Sequence, residues 1–201
     1  MQNFFLFLTT VILISFSGVV SPGPLTAVTI TKGLQNKYNG ILISIGHGIV
    51  ELPLIFLIYF GFTKIFSFPL LKTSIGLLGG FMLIFLGISI FKTKEISNTN
   101  LPYGTVFAGV VATISNPYFF IWWLTIGNSL ILTSINFGKT AILIFSFVHL
   151  LCDFLWYTLL SVFIYKTKKF FPQKVYKFIT SICGILLILF GIFFIINFSN
   201  F

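Results

Sequence analysis

Six long apolar runs decide what this chain can fold into. They cover roughly residues 3–30, 40–62, 69–91, 104–132, 141–165 and 176–198, and polar or charged residues bound each one. A helix needs about 20 residues to cross the hydrocarbon of a bilayer. An open strand edge cannot exist there, because its backbone groups would find no water. Each run is therefore expected to be helical. The second, third, fifth and sixth runs match an upright span. The first and fourth are about 28 residues long and carry helix breakers inside.

Composition agrees with this reading. Of 201 residues, 57% are hydrophobic and 7% are charged. No soluble domain of this size has enough interior to hide so much apolar surface. The net charge of +9 comes from lysines in short loops between apolar runs. They read as topology signals and not as a nucleic-acid-binding surface. A cleaved signal peptide is not expected, since the first lysine is Lys32 and no A-x-A site follows. Cys152 and Cys183 lie inside apolar runs and read as small packing residues.

Lysines also vote on orientation. Lys32, Lys37, Lys92, Lys94, Lys166, Lys168, Lys169, Lys174 and Lys177 fall in the loops after runs one, three and five. Lys64, Lys72 and Lys139 fall on the opposite side. The imbalance places both termini outside the cytoplasm of a multi-pass protein in the cell membrane.

Paired features recur in the two halves. "SPGP" at residues 21–24 interrupts run one, and Ser115-Asn116-Pro117 interrupts run four. Run two holds His47-x-x-x-Glu51, and run five holds His149-x-x-x-Asp153. Gly80 and Gly87 in run three match Gly184 and Gly191 in run six. The pairs lie about 94, 102 and 104 residues apart, in the same order. Three spans per copy invert the second copy relative to the membrane. The expected fold is an all-α integral membrane protein with six transmembrane helices in an inverted 3+3 repeat, its first and fourth helices broken. One transporter domain then fills residues 1–201, with repeat one at 1–95, a linker at 96–103 and repeat two at 104–201. Corresponding broken helices point to a binding site near the midplane.

The breaks supply candidate binding groups. Ser21 is placed to cap a half-helix beginning at Pro22, and Asn116 to cap one beginning at Pro117. Gly23 and Pro24 complete the first break. The positive end of a helix dipole suits a carboxylate, and unwound carbonyls suit an ammonium or a cation. The plainer alternative is a pair of tolerated proline kinks. Of three acids in the chain, Glu51 and Asp153 fall inside spans. An acid at a helix centre costs at least ~2.5 kcal/mol on insertion scales. Each has a histidine one turn earlier on the same face, His47 and His149. They are either packing pairs or groups that exchange a proton or bind a cation in a cavity. The same four side chains form a possible divalent-metal set. Trp122 and Trp123 sit too deep for an interfacial belt, and Trp123 is assigned to the cavity wall, where its ring can meet an ammonium.

These residues resemble a known family. "SPGP" followed by Gly33, Lys37 and Gly40 resembles the opening motif of the lysine exporter (LysE-type) translocator superfamily. "SNPYFFIWW" is similar to its Asn-Pro motif, and "GHGIVELP" and "HLLCDFLWY" resemble a subgroup found in archaea and some bacteria. The resemblance spans nearly the whole chain. It implies export of amino acids driven by ion gradients, with no prosthetic group. Leu25 stands where the homoserine and threonine branch has Asn, and the histidines also differ from that branch. Related branches are associated with cadmium and other cations. No H-E-x-x-H or G-x-S-x-G motif suggests an enzyme. The short chain is compatible with a homodimer.

Overall fold

The computed structural model describes residues 3–62, 68–91 and 104–198. Lys64, Lys92, Lys94 and the 96–103 linker lie outside them. The described residues are mostly helical, with no strand among them. The helices are α1 (Phe4–Val19), α2 (Pro24–Gln35), α3 (Asn39–Tyr59), α4 (Pro69–Phe91), α5 (Thr105–Ile114), α6 (Pro117–Trp122), α7 (Asn128–Ile135), α8 (Lys139–Thr167) and α9 (Gln173–Phe198). A π-helical turn, Trp123–Gly127, joins α6 to α7.

Among the described residues, four stretches are long and apolar enough to cross a membrane: Asn39–Tyr59, Pro117–Ile135, Lys139–Phe170 and Gln173–Asn197. The pair α1 and α2, bent by 74° at the break, makes a fifth if the two helices count as one broken span. Gly76–Phe91 of α4 and Thr105–Ile114 are shorter apolar helices. Large hydrophobic side chains such as Leu13, Phe147 and Phe163 are more than 60% exposed on the outside of the bundle. In water that surface would aggregate; in lipid it costs nothing.

The helices pack where small residues let backbones approach. On α4 and α9, a Cβ on Gly80 would sit 2.6 Å from the Gly191 carbonyl oxygen, and one on Gly191 would sit 2.5 Å from that of Gly80. Gly87 and Gly184 meet in the same way one contact further along. As one residue number rises the other falls, so the two helices run antiparallel. On the other side of the molecule α3 packs against α5 and α8, and α8 packs against α1. Gly109 of α5 lies over Ile43 of α3, and Gly46 of α3 lies over Val106 of α5.

The first break departs from the capping expected of it. The residue before α2 is Gly23, with Pro24 in the first helical turn, in place of Ser21 and Pro22. Ser21 Oγ instead donates to the Ser17 carbonyl at the frayed end of α1. The hydroxyl finds an acceptor one turn back before the chain has turned toward α2. The second break does have the expected cap: Asn116 Oδ1 accepts from Tyr118 N at 3.1 Å, ahead of Pro117. At the far end of α2, Lys168 Nζ donates to the Leu34 carbonyl, and Ser161 Oγ donates to that of Lys37. These bonds tie the α2–α3 turn to the end of α8, so two of the lysine-bearing loops share one end of the molecule.

Candidate functional site: a histidine–carboxylate ring beside two helix breaks

Between the two breaks lies a cavity of about 570 Å³. Ser21, Pro22, Gly23, Pro24, Asn116 and Trp123 line it, together with all four of His47, Glu51, His149 and Asp153. Pro117 is buried at the start of α6 and is not among the lining residues. Helical spacing explains half of the clustering. His47 and Glu51 lie one turn apart on α3, and His149 and Asp153 lie one turn apart on α8. The packing of α3 on α8 supplies the other half.

The four side chains do not form two separate pairs. They close into a ring in which nitrogens and oxygens alternate. His47 Nε2 is 3.2 Å from Glu51 Oε1 and 3.8 Å from Asp153 Oδ2. His149 Nε2 is 3.3 Å from Glu51 Oε1 and 3.6 Å from Asp153 Oδ2. All four residues are between 2% and 6% exposed. Each imidazole therefore serves the acid of its own helix and the acid of the other.

The opposite nitrogen of each imidazole is held by a hydroxyl. His149 Nδ1 is 2.7 Å from Ser15 Oγ on α1, and His47 Nδ1 is 2.8 Å from Thr113 Oγ1 on α5. Ser15 Oγ donates to the Val11 carbonyl at 2.6 Å, and Thr113 Oγ1 donates to the Gly109 carbonyl at 2.8 Å. The arrangement is reciprocal. The histidine from one half of the chain is oriented by the broken helix of the other half. Neither hydroxyl stands out in the sequence as more than a polar residue in an apolar run. Only their places, on the helices that precede the two breaks, hint at a role.

Aromatic rings wall the ring in. Trp122 stacks against His149 at 5.3 Å between centroids, and Phe119 meets His47 edge-on at 5.4 Å. Trp123 is 1% exposed, and its Nε1–H donates to Glu51 Oε1 at 3.1 Å. The indole thus addresses the carboxylate through its N–H. The π-helical turn re-aims this residue, and Gly127 leaves room for the indole one turn later. Glu51 Oε2 and Asp153 Oδ2 are buried without a hydrogen-bond partner. A buried carboxylate oxygen left so is costly, and such atoms mark places that ligands or protons serve.

A helical membrane bundle whose helix breaks and buried ionisable groups face one cavity has the build of a solute carrier. The LysE type translocator family model matches residues 16–198, and the chain belongs to that family. It is 27% identical over 199 residues to the Bacillus subtilis (strain 168) protein named "Putative amino acid efflux protein YcgF", covering 94% of each chain. No solved structure matches.

Proposed function

We propose that this protein is a secondary transporter that exports an amino acid or a similar small zwitterion from the cytoplasm, driven by a proton or ion gradient. The observation that carries the reading is the ring of two imidazoles and two carboxyls in a cavity flanked by both helix breaks. The relative named for amino acid efflux supports the substrate class. The uncapped start of α2 at Gly23 offers amide groups to the substrate carboxylate, with Asn116 and Pro117 opposite. Glu51 and Asp153 meet the ammonium or the coupling proton, and His47 and His149 tune them. Ser21, Pro22, Pro24 and Trp123 complete the wall.

The reciprocal contacts suit an inverted 3+3 repeat, with repeat one in 1–95 and repeat two in 104–201. In such an architecture the halves rock around a fixed site and open it to each side in turn. In this proposal both termini lie outside the plasma membrane, and two chains can pair as a homodimer.

The test is transport by purified protein in sealed proteoliposomes, screened with labelled amino acids under an imposed pH gradient. Accumulation above that of protein-free liposomes, abolished when the gradient is collapsed, is the expected result. No accumulation of any amino acid would overturn the reading.

A further inference from the structure

We propose that His47, Glu51, His149 and Asp153 bind one divalent transition-metal cation of the zinc class, and that the bound metal arrests the carrier. The arrest, though not the site, rests on the exporter reading above.

Size is the first argument. Four donors held 2.0–2.2 Å from a tetrahedral zinc ion stand roughly 3.3–3.6 Å apart. The sides of the ring measure 3.2, 3.3, 3.6 and 3.8 Å. Donor atoms of His47, Glu51 and Asp153 all lie within 4.8 Å of one another, and His149 Nε2 stands 3.3 and 3.6 Å from the two acids, so an ion held by the first three has the fourth within reach of a small side-chain shift.

The groups around the ring are the second argument. A metal-binding histidine commonly donates its other N–H to an oxygen, which fixes the ring and leaves one lone pair for the metal. Ser15 and Thr113 do this for His149 and His47. Each hydroxyl spends its single proton on a carbonyl of its own helix, so it accepts from the imidazole Nδ1–H. Each Nε2 then faces carboxylate oxygens with the proton that a metal ion would displace. With those protons gone, electron pairs converge on the ring, and Trp123 donates to Glu51 Oε1 from outside it.

The third argument is independent of the cluster's composition. Asp153 Oδ2 lies in the ring yet makes no hydrogen bond, in a residue 5% exposed. Glu51 Oε2 is likewise without a partner, in a residue 2% exposed. Two carboxylates balance the two charges of the metal, which matters in a low-dielectric interior. Two imidazoles select zinc, cobalt or nickel over magnesium, which prefers oxygen ligands and retained water.

Purified protein, stripped with a chelator and desalted, is titrated with Zn²⁺ by calorimetry and with Co²⁺ by visible absorption. One ion per chain should bind in the micromolar range or tighter, and excess Mg²⁺ should not displace it. Ser15→Ala and Thr113→Val keep all four ligands and should weaken binding by ~10–100-fold. His47→Gln with His149→Gln should abolish it. If that double variant does not fold, the two hydroxyl variants carry the test. No binding by the wild type, or unchanged affinity in the variants that fold, overturns the site. In proteoliposomes that export an amino acid, Zn²⁺ should stop export where Mg²⁺ does not. Export that continues with zinc bound overturns the arrest. Zinc binding without transport of any amino acid leaves the site standing and removes the exporter reading. Amino-acid export without zinc binding does the reverse.

Discussion

Glu51 and Asp153 share one ring yet stand in different company. Glu51 Oε1 receives the Trp123 indole N–H and two imidazole contacts, whereas Asp153 Oδ2 is 3.6 and 3.8 Å from the same imidazoles with no hydrogen bond. Glu51 is thus the better-anchored acid, and Asp153 is freer to change partners during a transport cycle. Glu51→Gln and Asp153→Asn keep shape and remove charge. Gradient-driven export should fall by roughly 5–150-fold in each, the span of ordinary coupling free energies. Downhill exchange of substrate should fall less in Asp153→Asn than in Glu51→Gln. Normal export by both variants would show that the ring is only a packing device.

At the scale of elements, the two breaks make different predictions although their sequences look alike. Asn116 caps α6 through its side chain. Asn116→Ala should therefore cost about 1 kcal/mol, read as a lowered thermal midpoint. Ser21 caps nothing in α2, and its exposed hydroxyl serves a carbonyl of α1. Ser21→Ala should stay within about 0.5 kcal/mol of wild type. An equal loss in both would mean that the first break is capped by Ser21 after all. Glycines sort in the same manner. A Cβ at Gly80 or Gly191 runs into the facing carbonyl, so Gly80→Val and Gly191→Val should each destabilise α4–α9 packing by about 1–3 kcal/mol. A Cβ at Gly23 meets nothing within 4 Å, and its φ of −163° is ordinary extended backbone. Gly23→Leu should fold normally and yet transport poorly, because the new side chain would enter the cavity.

Over the whole molecule the lysine-bearing ends fix a testable orientation. The bonds from Lys168 and Ser161 to the α2–α3 turn place that turn and the end of α8 together. If the positive end is cytoplasmic, a cysteine placed at Gln173, in a background with Cys152 and Cys183 replaced by serine, should resist an impermeant thiol reagent added to intact cells. The same cysteine should react in inside-out vesicles. Labelling from outside would invert the proposed direction of transport.

The membrane class and helical content were legible in the sequence because both follow from local rules. Apolar length and the demand for internally paired backbone act on each segment separately. The Asn116-Pro117 cap was legible for the same reason, since a cap is settled within four residues. The break at Ser21-Pro22-Gly23-Pro24 was visible too, but the start expected at Pro22 under a Ser21 cap falls at Pro24 after Gly23. Spacing of four put each histidine with an acid on one helix face. It could not say that the two pairs would merge into a single ring, because that depends on how α3 lies against α8. Nor could it show Ser15 and Thr113 as partners of the histidines, which are 134 and 66 residues away in sequence. A hydroxyl's role is set by what stands within hydrogen-bonding distance of it, and only the packed bundle decides that.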